Sequence, residues 1–207
     1  MKKRFIHILL FLVVMILLLL GLLSIMRSKE PKLSKSNWVP LEEIPADYTL
    51  EDAKDDGYVI IENGDVSYGQ QLWSEFYEEV EQKNPTKIRV VDYYTLLDKS
   101  HYGAEYYESI KDDYPMLFVK EISYDGNKFT EIHYEDEKKY EYEYKYLIRD
   151  EGEAESVSAT YSSYIRYILV DDNTVTWKDI WKGLISSQMG AGVRHSVVYT
   201  DLLHEGE

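Results

Sequence analysis

From Phe5 to Met26 only His7, Gly21 and Ser24 interrupt a run of strongly apolar residues, and no acid, lysine or arginine lies among those positions. A helix of that length would measure roughly 33 Å, against about 30 Å for the hydrocarbon core of a bilayer. The pattern predicts a transmembrane helix. Lys2, Lys3 and Arg4 precede it, while Arg27, Lys29 and Lys32 follow it with Glu30 among them. The denser cluster on the N-terminal side favours a cytoplasmic N-terminus and a C-terminal domain outside the membrane. The alternative is secretion after signal cleavage. Against it, the run exceeds the roughly 7–15 residues of a signal h-region, and no small-residue cleavage site surrounds Ser24 and Met26.

Residues 27–48 carry Pro31, Pro40 and Pro45 among Lys, Ser and Asn with no sustained period, the pattern of a linker. Trp38 within it fits either the headgroup level or a docked position. Thr49 with Asp52 forms a capping box ahead of a short helix over 50–56, and Tyr58 to Glu62 reads as a strand turning at Asn63-Gly64. Ser67 with Gln70 predicts a second cap, opening a helix whose Leu72, Trp73, Phe76, Tyr77 and Val80 share one face. Lys87 to Tyr94 returns as a strand. Residues 97–113 carry no readable period.

From Met116 the period is two. Asp125-Gly126 marks a turn, and pairing 124 with 127 sets Val119 opposite Ile132, Leu117 opposite Tyr134, Lys120 opposite Glu131 and His133 opposite Phe118. Lys139 to Ile148 alternates strictly as a third strand, with tyrosines at 140, 142, 144 and 146 expected on a core face. Tyr164 to Val170 and Val193 to Tyr199 read as further strands. Between them Thr176 and Asp179 cap a helix with Trp177, Ile180, Trp181, Leu184 and Ile185 as an apolar stripe. The expectation is an α+β fold: a largely antiparallel sheet covered on one face by helices 68–83 and 176–188. It would stand behind an N-terminal transmembrane helix, with 1–26 as cytoplasmic tip and anchor, 27–48 as linker and 49–207 as an extracytoplasmic domain.

Composition narrows the function classes. Six of the 23 bases and one of the 38 acids lie in residues 1–32, so the rest carries 17 bases against 37 acids, a formal charge of −20. Such a surface disfavours nucleic acid and anionic lipid as partners, and permits a cationic or protein partner in the cell envelope. With no cysteine in the 207 residues, disulfides, thiol nucleophiles, Cys-based zinc sites and a lipid-modified N-terminal cysteine are excluded.

Tyr48-Thr49-Leu50-Glu51-Asp52-Ala53, Gly64-Asp65-Val66, the helix around Phe76, Lys87-Ile88-Arg89-Val90 and Tyr124-Asp125-Gly126-Asn127-Lys128 together resemble a small bacterial exported domain of unknown function. That family, domain of unknown function 4362, is often found behind a lipoprotein signal. The likeness covers residues 48–149 and implies location and fold alone, since none of these motifs is catalytic. The absence of cysteine departs from the lipoprotein pattern, so anchoring falls to the apolar span at residues 5–26.

No Walker loop, G-x-S-x-G elbow, H-E-x-x-H or EF-hand occurs, and no cofactor is expected. Among many carboxylates, Glu131, His133, Glu135 and Asp136 form the densest mixed cluster, and 131, 133 and 135 share one face of a strand. They are the candidate metal ligands. A solvated, charged strand edge explains the same pattern and is preferred. The expected function is a non-enzymatic binding or interaction module of the envelope. The alternative is an envelope hydrolase using acidic residues and a histidine.

Overall fold

Local side-chain hydrogen bonding fixes two helix starts where the spacing predicts them. Thr49 Oγ1 accepts from the Asp52 N–H while Asp52 Oδ2 accepts from the Thr49 N–H, and Thr176 and Asp179 repeat the arrangement. A computed structural model describes residues 38–154, 156, 159–186 and 192–204, all within the compact unit 33–207. The predicted transmembrane helix lies outside the described residues. Among the described residues no helix is long and apolar enough to cross a membrane.

The fold is α+β, with few helices and mostly antiparallel sheets. In place of the single expected sheet there are two among the described residues. The first has six strands in the order β2-β1-β3-β4-β5-β6. These are β1 (Val59–Glu62), β2 (Asp65–Tyr68), β3 (Thr86–Tyr94), β4 (Met116–Tyr124), β5 (Phe129–Glu135) and β6 (Lys138–Tyr144). Only the β1–β3 pair is parallel. The second sheet comprises β7 (Tyr146–Glu153), β8 (Ser163–Val170) and β9 (His195–Leu203), with β8 central. The strict alternation from Lys139 to Ile148 is therefore split at Lys145, which carries the chain from one sheet to the other. Only Tyr144 of the tyrosine ladder is fully buried, and Tyr142 and Tyr146 are exposed.

Among the described residues the four α-helices are α1 (Leu50–Asp55), α2 (Gln70–Glu81), α3 (Ala104–Ile110) and α4 (Trp177–Ile185). The expectation of helices on one face fails because both faces of the first sheet are covered. On one, Leu72, Trp73, Phe76 and Val80 of α2 join Val59, Ile88, Val90, Ile122 and Phe129 with Tyr167, Leu169 and Tyr199 of the second sheet in one core. On the other, Ala53, Trp38, Tyr48 and Leu50 close over Tyr58, Ile60 and Val91. Residues 38–48 thus pack on the domain where a linker was expected, and Trp38 is docked, its Nε1 donating to the Asp56 carbonyl at 2.9 Å. The α4 helix serves the outer face of the second sheet, where Ile180 meets Ile168 and Val170. Trp181, Leu184 and Ile185 stay largely exposed, against the predicted buried stripe, and residues 187–188 lie outside the described residues.

Two local expectations shift. Gly69, not Ser67, precedes α2: its φ of +80° suits glycine, and an added Cβ would lie 3.0 Å from Val59 Cα. Ser67 instead donates to Glu62 Oε1 and Gln70 Nε2 to Asp201 Oδ2. In the β4–β5 hairpin Tyr124 pairs with Phe129, not with 127, because Asp125 Oδ1 accepts the N–H groups of Asn127 and Lys128 and holds a four-residue loop. A slip of two residues preserves which side chains share a face, so the faces survive while the partners change.

Candidate functional site

The strand β5 alternates Phe129, Glu131, His133 and Glu135 on one face with Thr130, Ile132 and Tyr134 on the other. The first of these faces looks into the main core, where Phe129 sits beside Ile122 and Tyr124. Glu131 follows Phe129 by one pleat and is only 5% exposed. Charged residues on a core face are uncommon and are retained where paired or used. Register then gathers the surroundings: β6 sets Tyr142 opposite Glu131 and Tyr140 opposite His133, while β4 sets Ile122 and Lys120 opposite the same two.

A pocket of about 260 Å³ opens there, bordered by Asp92, Phe118, Lys120, Glu131, His133 and Glu135. Lys120 Nζ lies 2.7 Å from Asp92 Oδ2 and also donates to the Val197 carbonyl at 3.4 Å, so this base and acid satisfy one another. The expected Lys120–Glu131 pairing is replaced by Lys120–His133, and the amine turns to the neighbouring strand. Glu131 Oε1 stands 3.7 Å from His133 Nδ1, beyond hydrogen-bond length and an ion pair only when the imidazole is protonated. Its other oxygen, Oε2, is buried without a hydrogen-bond partner among the described residues. Leaving a buried acceptor unmet costs on the order of 1–3 kcal/mol, and more when it is charged. The His133 ring stacks on Tyr140 at 5.3 Å and tilts over Tyr142 at 6.0 Å. Phe118, 49% exposed, meets the Tyr94 ring at 6.1 Å on the opposite wall. One strand position further in, burial pushes the Tyr144 hydroxyl up to about 12, with the Glu131 charge as the second cause.

Of the three candidate ligands, Glu131 and His133 come together, while Glu135 sits exposed at the pocket rim, paired in register with Lys138. Among the described residues no group of three or more His, Asp or Glu is placed to hold a metal ion. The preferred reading of these residues as a solvated edge is corrected for Glu131: the second sheet and α2 cover this face, which an isolated hairpin would leave to water. No other histidine among the described residues borders the pocket. His195 Nδ1 is 2.7 Å from the Val193 carbonyl and His204 Nδ1 is 2.9 Å from the Thr160 carbonyl.

A larger groove of about 720 Å³ runs beside Val80, Phe129, Leu147, Arg149, Asp150 and Trp177. Of its charged groups, Arg149 pairs with Glu151 at 2.6 Å, while Asp150 Oδ2 lies 3.6 Å from Arg166, beyond hydrogen-bond length, and is, like Glu131 Oε2, buried without a hydrogen-bond partner among the described residues. The smaller pocket is the stronger candidate because Asp150 stands beside a permanently charged guanidinium, whereas Glu131 has an imidazole that is charged only when protonated. Asp92, Lys120 and Phe118 were not singled out from sequence. The available signal was Asp92 itself, an acid standing two residues beyond Val90 on the face that Ile88 and Val90 bury. No family model, curated protein or solved structure matches the chain.

Proposed function

We propose that this protein is a binding module of the cell envelope, anchored by residues 5–26 with its N-terminus in the cytoplasm, and that the Glu131 pocket takes its ligand. The observation that carries this reading is that Glu131, whose Oε2 is buried and unpartnered among the described residues, borders a pocket of small-molecule size. The apolar run, the basic cluster ahead of it and the resemblance to an exported domain of unknown function support the location. A hydrolase is the second reading, favoured by the approach of His133 to Glu131. Binding is preferred because the two side chains are not hydrogen-bonded and Asp92, a further carboxylate of the pocket, is held by Lys120.

Thermal-shift screening of full-length protein against amines, sugars, short peptides and nucleosides tests both readings, with Glu131→Gln alongside. The expected result is at least one compound that raises the melting temperature of the wild type but not of the variant, and is recovered unchanged. Conversion of the compound to product would establish the hydrolase instead. Equal responses from wild type and variant would remove the pocket from the function.

A further inference from the structure

Resting on that reading of the pocket, we propose that its ligand is a small organic cation bound through a protonated primary amine. The ammonium donates to Glu131 Oε2 and the carbon stem lies along Phe118. Four observations converge. Glu131 is only 5% exposed, yet Oε2 has no donor among the described residues, so the site is short of hydrogens, not of acceptors. An ammonium offers three. The bordering groups carry three carboxylates, Asp92, Glu131 and Glu135, against the single amine of Lys120, so with neutral His133 the pocket has a formal charge of −2. The lining is partly aromatic: Phe118, which meets the Tyr94 ring, and His133, which stacks with Tyr140, give apolar contact for a stem and π faces that attract a cation. Finally, the volume of about 260 Å³ suits a compact molecule and excludes a folded peptide or oligosaccharide chain.

A bare metal ion fits this arrangement poorly. Calcium takes roughly 6–8 oxygen ligands and zinc about three or four protein ligands, whereas Glu131 and His133 are the two groups that converge. The formal charge of −20 beyond residue 32 also raises the local concentration of any cation at the pocket mouth.

The test is isothermal titration of full-length protein in detergent micelles with butylammonium chloride, 1-butanol as its uncharged isostere, and zinc or magnesium chloride, all at matched ionic strength. Butylammonium is expected to bind saturably and 1-butanol not at all. Glu131→Gln should weaken butylammonium by about tenfold or more, as loss of a charge-assisted hydrogen bond does. Phe118→Ala, at an exposed wall, should weaken it several-fold, and Glu135→Gln, at the rim, less than about twofold. Because Glu131→Gln keeps the side-chain volume and sheds an unmet charge, that variant should melt no lower than wild type. A drop of several degrees in its melting temperature would mark Glu131 as structural and overturn the proposal. So would butylammonium binding equally to Glu131→Gln, butanol binding as well as butylammonium, or zinc binding in its place. A sugar bound in a Glu131-dependent way, with butylammonium inert, would sink the amine but keep the pocket as the binding site; if no compound binds, both fall.

Discussion

Arg89 is only 2% exposed, yet every arm of its guanidinium is engaged. Nε donates to Glu121 Oε2 at 2.9 Å, one terminal nitrogen to the Tyr58 hydroxyl at 2.6 Å and the other to the Val39 carbonyl at 2.8 Å. Removing it takes the guanidinium from a buried phenol beneath Trp38 and from Glu121, leaving that carboxylate, among the described residues, only Lys87 at 3.8 Å, so Arg89→Ala should cost about 3–5 kcal/mol in urea denaturation. A loss below about 1 kcal/mol would show that the segment 38–58 contributes little to stability. Glu131 is the contrasting case, a buried charge with one oxygen unmet, and Tyr144 senses it. Folding favours the neutral phenol there, since the folded-state value lies above the ordinary 10.0. That contribution is complete below pH 10 and is lost as pH rises through about 12. Absorbance titration near 295 nm should show Tyr144 ionising late, and earlier in Glu131→Gln, where the second cause of the shift is gone. No movement between the two would place burial alone behind it. Neither Arg89 nor Glu131 was legible as buried, because alternation along β3 and β5 places them opposite the residues expected in the core. What conceals them is coverage of both faces of the sheet, which depends on segments distant in sequence.

At the scale of elements, what short-range hydrogen bonding dictates was readable and what remote packing dictates was not. The capping boxes at Thr49 and Thr176 and the Asn63-Gly64 turn stand where their residues point, with Asn63 and Gly64 both at positive φ. The β4–β5 register slipped by two because one side chain, Asp125, lengthened the loop. The break at Lys145 was hidden inside an unbroken alternation, since both strands it joins obey the same period. For α4 the helix was legible but its burial was not. Ile180 is 1% exposed, whereas Trp181 is 53% and Ile185 67% exposed. Ile180→Ala should therefore cost about 2–4 kcal/mol and Trp181→Ala under about 1 kcal/mol, read from thermal melts of the same protein. Equal costs would mean that Trp181 is covered in solution.

For the whole molecule, Trp73 is the junction. It stacks on Tyr199 at 4.5 Å and contacts Tyr167 and Phe76 at 5.2 and 5.4 Å, binding α2, β8 and β9 to the core that the first sheet shares. One core spanning two sheets should melt once, so near- and far-ultraviolet circular dichroism should give coincident transitions. Trp73→Ala should lower stability by about 3–5 kcal/mol, and a variant in which the second sheet melts separately would show the sheets to be independent. The docked segment at Trp38 has a different consequence. The Trp38 ring lies within reach of Arg89 and Lys87 at 5.1 and 5.3 Å, and the next carbonyl, that of Val39, takes an Arg89 hydrogen bond. A tether that joins the domain at this end would transmit any tug first to that clasp, so the clasp, not the strands, would act as the molecule's mechanical fuse.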